Sequence, residues 1–375
     1  MTHKHDTHFS EEHHEVLQSI RSSRILLPVL LGLLAVGYLF WKNFDFHEFA
    51  QIQWTTHTYT WILVAVGLSV GWHLSYAYRL WVLTEGDFSW WKCIELIFIW
   101  EFSSAVSPTS LGGSAVALFA LAQEKLSAAR TVTIVLYTVV LDSFFLLLTL
   151  PVLFVIFGPG IMRPGVETLA DTGIWGIYFS VTYAIMAAYS LFIYYGIFIN
   201  PAKIQQILGW LTNNRLLRRY HEKALVFGAD MATASLELKK RPMGMHVRAI
   251  AGTISAWTLR FLIISTLIIA FLPTLPLDFM TQFELYSRLE TMFFVIAFSP
   301  TPGGAGLIEI LFGGFLTDYV TNATQATFIS MIWRALSYFI YLFAGVLIVP
   351  NWIRQRINDR RKARMEQEAA PELHQ

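Results

Sequence analysis

Six apolar segments, each long enough to cross a lipid bilayer, dominate this sequence of 375 residues. A transmembrane helix needs about 20 predominantly apolar residues, with a range of about 17 to 25. The segments of suitable length are Ile25–Trp41, Tyr59–Leu83, Thr131–Phe157, Ile174–Ile199, Val247–Leu272 and Gln325–Val349. Charged residues make up 14% of the chain, whereas a soluble domain carries about 25%. The sequence therefore predicts an all-α polytopic membrane protein.

Two further apolar stretches are interrupted by proline and glycine. One interruption is Ser299–Glu309, which reads Ser-Pro-Thr-Pro-Gly-Gly-Ala-Gly-Leu-Ile-Glu, and the other is Ser107–Ser114, which reads Ser-Pro-Thr-Ser-Leu-Gly-Gly-Ser. A broken helix persists in lipid only where protein or a water-filled cavity covers the freed backbone groups. The apolar pieces beside each break are short for a full crossing. We therefore predict two re-entrant hairpins.

The residues expected to break these hairpins are small or lack a backbone donor. They are Pro108, Gly112, Gly113, Pro300, Pro302, Gly303, Gly304 and Gly306. Half-helices that begin after Gly113 and Gly306 would present their N-termini to an anion.

The distribution of basic residues sets the predicted topology. The polar loop at 200–246 and the tail at 351–375 are both rich in Lys and Arg, so both are predicted to be cytoplasmic. Counting spans back from them makes the first hairpin enter from the cytoplasm and the second from outside. The predicted fold therefore has about six full spans plus two re-entrant hairpins in an inverted-topology repeat, with repeat one at about 59–157 and repeat two at about 247–350.

The ends of the chain carry little chemistry that the sequence identifies. Residues 1–24 form a polar, His-rich tail, which is either a metal-binding tract or a plain polar tail, and we predict no metal site. The transmembrane domain is expected to span 25–350, with both termini in the cytoplasm. Cys93 is the sole cysteine, so no intramolecular disulfide is possible. We find no nucleotide-binding, zinc or nucleophile-elbow pattern, and so predict no catalytic residue, no cofactor and no nucleic-acid partner.

Charged residues within the apolar segments are the candidate substrate-binding residues. Each costs about 2.5 to 3.5 kcal/mol on insertion scales, so pairing or solvation is expected. These residues are Glu101, Asp142, Arg260, Glu309 and Arg334. They form either structural ion pairs or a polar cavity for a charged head group.

Individual roles are narrower for some of these residues. Arg260 and Arg334 suit a phosphate, because a guanidinium donates two parallel hydrogen bonds. Glu309 would orient an arginine, bind a cationic head group or carry a proton. Arg79 lies near the end of its span and is expected to extend its charge toward water.

The segment Pro300–Glu309 resembles the hallmark Pro-x-Pro-Gly-Gly-x-Gly-x-x-Glu of the lysylphosphatidylglycerol synthase transmembrane family, also called flippase-like membrane proteins. Arg334 and Asp142 match an arginine and an aspartate of that family, and the resemblance covers about 25–350. A Glu-Arg pair that the family often shows is replaced here by Thr138 and Val139. The sequence ends soon after its last span, so we expect no soluble aminoacyl-transferase domain and no enzyme.

The resemblance implies a protein of the bacterial inner membrane that translocates or handles a lipid through a polar cavity between the two hairpins. The alternative is a non-transporting scaffold that assists an enzyme of envelope lipid or glycolipid synthesis. An integral-membrane transferase is a third hypothesis, which would need a metal or an activated nucleophile. The predicted partners are a membrane lipid and, for the scaffold, an envelope biosynthesis enzyme. A homo-oligomer is a further candidate assembly.

Overall fold

The computed structural model describes residues 44–106, 110–124, 126–162, 165–215, 217–296 and 307–369, together with residues 34, 37, 38 and 41. Helices account for almost all of this described part, and it contains no strand. The helices are α1 Phe46–Ala50, α2 Thr56–Leu83, α3 Trp90–Val106, α4 Ser110–Gln123, α5 Ala128–Phe157, α6 Gly173–Tyr194, α7 Pro201–Thr212, α8 His221–Lys239, α9 Met243–Phe271, α10 Phe279–Ile296, α11 Leu307–Phe315, α12 Ala323–Arg334 and α13 Ile340–Ala369.

Five helical segments of the described part are long and apolar enough to cross a membrane. They are Thr56–Leu83, Ala128–Ile161, Gly176–Ile199, Met243–Phe271 and Ala323–Asp359. These coincide with five of the six predicted spans, which confirms a multi-pass α-helical membrane protein. The remaining predicted span, Ile25–Trp41, lies outside the described residues apart from residues 34, 37, 38 and 41.

Polar side chains begin several of these helices. The Thr55 hydroxyl accepts a hydrogen bond from the Thr58 amide before α2, and the Ser127 hydroxyl does the same for the Arg130 amide before α5. The Asn322 side chain accepts from the Gln325 amide before α12. Each cap satisfies one of the four N-terminal amides that have no acceptor within the helix. The sequence thus fixes where the membrane-length helices start.

The first interrupted segment forms two helices, α3 and α4, that pack against each other. They have 17 and 14 residues. Helix α4 begins at Ser110, so Gly112 and Gly113 lie in its first turn and not in the break. The predicted start of a half-helix after Gly113 was therefore wrong. Pro108 lies outside the described residues.

The second interrupted segment also places two helices in contact, α10 and α11. Helix α11 has only 9 residues, which corresponds to a length of about 14 Å. That is less than half of the hydrocarbon core of a bilayer, which is about 30 Å thick. The break residues Pro300, Pro302, Gly303, Gly304 and Gly306 lie outside the described residues. The re-entrant path of both segments through the membrane stays a prediction.

Helices α2 and α9 make the most extensive contact between two elements in the described part. A Cβ atom added to Gly252 would lie 3.3 Å from Arg79 Cβ and 3.5 Å from the Ser75 carbonyl oxygen, so the two backbones approach closely there. The Ser75 and Ser255 hydroxyl groups are 2.9 Å apart across the same interface. Small residues of this kind allow membrane helices to pack without a gap.

The two helix pairs dock in a reciprocal way. Helix α3 of the first pair packs against α13, and helix α10 of the second pair packs against α5. Glu124, just after α4, links the first pair to α13. Its carboxylate lies 2.7 Å from Lys92 Nζ of α3 and accepts a hydrogen bond of 2.6 Å from Trp352 Nε1 of α13. Each pair therefore contacts the span that follows the other pair.

The polar region at 200–246 is folded into helices. Its two helices, α7 and α8, pack against each other, and α8 also packs against α5. Helix α13 runs without interruption from Ile340 through Pro350 to Ala369.

Candidate functional site

Two arginines inside the bundle differ in their surroundings: Arg79 is paired with a carboxylate, whereas Arg260 contacts aromatic rings and no carboxylate of the described residues. The paired group is Arg79 of α2 and Asp142 of α5. Arg79 Nη1 lies 2.5 Å from Asp142 Oδ1, and Nη2 lies 3.1 Å from Oδ2, so the guanidinium binds the carboxylate through both nitrogens. Arg79 Nη1 also donates to Thr253 Oγ1 of α9 at 3.1 Å. Bidentate pairs of this geometry are among the strong charged hydrogen bonds.

The expectation that Arg79 reaches toward water was wrong, because this residue is only 5% exposed. Its carboxylate partner lies on a neighbouring helix, and that partner neutralises the charge within the bundle. Asp142 accepts a further hydrogen bond of 2.9 Å from Trp257 Nε1. The pair therefore ties α2, α5 and α9 together.

A small cavity of about 50 Å³ lies beside the paired group. It is lined by Tyr76, Arg79, Leu80, Ile97, Trp100, Glu101, Thr138 and Asp142. A water molecule needs about 10 to 15 Å³ of such space, so the cavity has room for a few waters and is smaller than a phospholipid head group. Its polar lining still distinguishes it from the apolar core around it.

Glu101 of α3 faces this cavity without a direct partner. It makes no hydrogen bond and no salt bridge to another residue of the described ranges. The charges that act on its carboxyl group are those of Arg260, Asp142 and Arg79. The structure thus brings Glu101 and Asp142 into one site, as predicted charged residues of the bundle interior, although only Asp142 is held by a close ion pair.

Arg260 of α9 is held by aromatic rings. Its guanidinium carbon lies 4.9 Å from the ring centre of Trp72, 5.0 Å from that of Phe293 and 5.4 Å from that of Trp257. Its Nε is buried without an acceptor, and no hydrogen bond or ion pair joins the guanidinium to another residue in the part of the chain that is described. Cation–π contacts contribute about 0.5 to 2 kcal/mol each, but they leave the hydrogen-bond donors of the guanidinium unused.

Arg334, at the end of α12, lies close to the first interrupted segment. It is 2% exposed, and its guanidinium carbon lies 4.9 Å from the ring centre of Tyr338. The Tyr338 hydroxyl donates a hydrogen bond of 3.3 Å to the carbonyl oxygen of Ala105, near the end of α3. Trp333, the residue before Arg334, contacts the ring of Phe293 with 5.3 Å between ring centres. Phe293 also contacts Arg260, so aromatic side chains connect the surroundings of the two arginines.

Glu309 lies on α11, but its side chain is outside the described residues. Its predicted role as a partner of an arginine, a cationic head group or a proton therefore stays a prediction.

Sequence reasoning missed two charged residues of α10. Arg288 binds the carboxylates of Glu284 and Asp318, each at 2.8 Å. Glu290 is completely buried, and its carboxyl group contacts the Thr149 hydroxyl of α5. The signal was present, since both residues precede an apolar run, but that run was interpreted only as the approach to the proline–glycine break.

These features define a multi-pass α-helical membrane protein with charged residues between its helices. The chain belongs to the lysylphosphatidylglycerol synthase transmembrane-region family, whose model matches residues 25–345. A UPF0104 membrane protein of Archaeoglobus fulgidus is 22% identical over 302 residues, which cover 77% of this chain and 85% of the relative. No solved structure matches the chain at a significant level.

The structure gives a physical context to one departure from the family pattern. Thr138 lines the cavity one helical turn before Asp142, and it stands with Val139 at the positions where the family often shows a Glu-Arg pair. The arginine that binds Asp142 in this protein is Arg79 of α2.

Proposed function

We propose that this protein translocates or handles a membrane lipid whose head group carries a phosphate. The observation that supports this most directly is the state of Arg260. Arg260 lies in a membrane-length helix, and three aromatic rings surround its guanidinium. The guanidinium has no anionic partner within hydrogen-bond distance among the described residues. An arginine at such a depth is costly unless it is paired or solvated.

A phosphate would supply the missing partner. Its oxygens match the two parallel donors of a guanidinium, and such charge-assisted hydrogen bonds are about twice as strong as neutral ones. Glu101 would then act as the weak counter-charge of Arg260 when no lipid is bound, since the two groups interact electrostatically without direct contact. Asp142 would hold Arg79 in place.

The proposed path for the head group runs between the two helix pairs. The reciprocal docking of α3 on α13 and of α10 on α5 supports an inverted repeat, and in such repeats the substrate site lies near the middle of the membrane where the repeats meet. The cavity in this conformation is too small for a head group, so a helix pair must move to admit one. The lipid tails would stay in the bilayer.

In this proposal the protein lies in the bacterial inner membrane with both termini in the cytoplasm. The basic residues of the region at 200–246 and of the tail at 351–375 support that orientation. No nucleotide-binding motif was found in the sequence, so lipid movement would be downhill or coupled to an ion.

Reconstitution tests the proposal. Purified protein in vesicles with fluorescent lipids of several head groups should equilibrate at least one phosphate-bearing lipid faster than protein-free vesicles do. Arg260→Gln, Arg334→Ala and Glu309→Gln should slow this movement while the purified variants remain folded. Arg219→Gln, on the exposed connection between α7 and α8, is the matched control and should move lipid at the wild-type rate. Movement no faster than in protein-free vesicles for every head group would contradict the proposal.

A second candidate function is the scaffold. Helix α7 exposes Trp210 near its end, where this residue is 77% exposed. The connection that follows exposes the basic residues Arg215, Arg218 and Arg219. Exposed aromatic and basic residues together are typical of interaction surfaces. The scaffold would be favoured if an envelope-synthesis enzyme co-purified with the wild-type protein but not with Trp210→Ala, in the absence of any lipid movement.

A further inference from the structure

The side chain of Glu290 is a buried carboxyl group that the proposed lipid site does not use. It is 0% exposed and lies on α10, a helix that packs against α5, α9 and α11. No lysine, arginine or histidine of the described residues forms an ion pair with it. Arg288, two residues earlier on the same helix, is instead engaged by Glu284 and Asp318.

The hydrogen bonds at this carboxyl group fit a protonated acid. The Thr149 hydroxyl lies 2.6 Å from the carbonyl oxygen of Phe145 and is also in hydrogen-bond contact with Oε1 of Glu290. A hydroxyl group has one proton to donate, and a carbonyl oxygen can only accept. Thr149 therefore cannot donate to both oxygens at once, and a protonated Glu290 carboxyl group that donates to Thr149 Oγ1 would satisfy both contacts.

The environment of the second oxygen leads to the same conclusion. Oε2 of Glu290 is buried and forms no hydrogen bond within the described part of the chain. The Tyr286 hydroxyl interacts with the carboxyl group. An ionised carboxylate that is buried without a cation costs several kcal/mol, whereas a protonated acid with one hydroxyl partner is tolerated.

The groups that face Glu290 from neighbouring elements are mostly uncharged. Helix α5 presents Thr149, and α9 presents Thr258, which interacts with the Tyr286 hydroxyl. The charged residue Arg260 of α9 lies against Phe293, three residues further along α10. From α6, Phe179 and Tyr183 contact Phe294, and the Tyr183 hydroxyl donates to the Leu147 carbonyl oxygen. The side chain of Glu309 on α11 lies outside the described residues.

We propose that Glu290 is a proton-binding site that links lipid movement to the proton gradient across the membrane. The carboxyl group holds its proton while α10 packs against α5. When α10 moves to admit a head group and water reaches Glu290, its O–H bond breaks, the proton passes to water, and the carboxylate remains until it binds a proton again. The coupling rests on the proposed lipid movement, whereas proton binding does not.

Infrared spectroscopy of the purified protein tests the proton site directly. A protonated carboxylic acid shows a carbonyl stretching band that a carboxylate and a glutamine side chain lack. At neutral pH the wild-type protein should show this band, and Glu290→Gln should lose it. Glu284→Gln is the matched control, since Glu284 lies on the same helix and is paired with Arg288, and it should keep the band. Thr149→Val should keep the band but shift it, because the acid loses its hydroxyl partner. A spectrum unchanged by Glu290→Gln would overturn the proton site.

Vesicles with and without a pH gradient test the coupling. A gradient should accelerate lipid movement by the wild-type protein and by Glu284→Gln, and the ratio of the two rates should fall to one in Glu290→Gln. A ratio in Glu290→Gln that equals the wild-type value would overturn the coupling. If the wild-type protein moves no lipid while the infrared band still depends on Glu290, the proton site is supported and the coupling is overturned together with the proposed function.

Discussion

Arg79 and Arg260 lie on the two helices that pack most closely against each other, and their surroundings differ sharply. Arg79 of α2 has a carboxylate at 2.5 Å and a hydroxyl acceptor at 3.1 Å. Arg260 of α9 has three aromatic rings, with ring centres 4.9 to 5.4 Å from its guanidinium carbon, and no acceptor among the described residues. Each helix is the first span of one predicted repeat.

The difference shows two ways of keeping an arginine inside a membrane protein. A close carboxylate compensates most of the cost of burial and makes the pair part of the structure. Aromatic faces compensate only some of that cost and leave the donors of the guanidinium available. The paired arginine is therefore expected to matter for stability, and the unpaired one for binding.

The largest effect should come from breaking the paired group. Arg79→Leu leaves the half-buried Asp142 with Trp257 as its one close donor among the described residues, and removing one member of a buried ion pair costs about 3 to 5 kcal/mol. The melting temperature in detergent should fall strongly. The double variant with Arg79→Leu and Asp142→Leu removes both charges and should recover most of the loss. A single variant as stable as the wild-type protein would show that the pair does not support the fold.

Arg260→Gln should produce the opposite pattern, with a large effect on binding and a small one on stability. A hydrogen bond to a charged group contributes about 1.5 to 3 kcal/mol, so affinity for a phosphate-bearing lipid should fall by about 10- to 100-fold. Arg260→Lys should restore only part of the affinity, because an ammonium group lacks the planar fork. Lipid affinity measured by fluorescence checks this, and a variant that unfolds as readily as Arg79→Leu would remove the contrast between the two arginines.

Gly345→Ala tests whether the position of Glu101 matters without changing a charge. A Cβ atom at Gly345 of α13 would overlap the ring of Phe102, the residue that follows Glu101 on α3. Overpacking of this kind costs about 1 to 3 kcal/mol, and it should displace α3 and weaken lipid binding. Gly67→Ala on α2 is the control, since no atom lies within 4 Å of its added Cβ. Equal melting temperatures for both variants would contradict the close packing of α3 on α13.

Glu101→Gln should have the smallest effect, and in the favourable direction. Removing this negative charge leaves Arg260 with a stronger net attraction for an anion, because the two groups interact at present. The two groups are not in contact, and the interaction is partly screened, so we expect a gain of about 1 kcal/mol, or somewhat less than tenfold in affinity. Titration of a phosphate-bearing lipid at two salt concentrations checks this. Weaker binding by Glu101→Gln would instead assign Glu101 to the head group itself.

The sequence by itself determined which segments form membrane-length helices, and it identified an all-α membrane protein. An apolar segment of about 17 residues or more is long enough to cross the hydrocarbon core of a bilayer. A helix satisfies every backbone hydrogen-bonding group there within its own segment. That requirement is local, so five of the predicted spans were found in the described residues. The proline- and glycine-rich segment ending at Glu309 likewise gave the family resemblance, and the chain belongs to that family.

Only the tertiary structure decided which charges meet. Arg79 and Asp142 are far apart in the sequence. The pattern of apolar and polar residues along one helix does not indicate which other helix will pack against it. The same holds for Glu290, whose contact with Thr149 exists only because α10 packs against α5. Helix formation is governed by the residues of one segment, whereas the pairing, burial and protonation of a side chain depend on every helix packed around it.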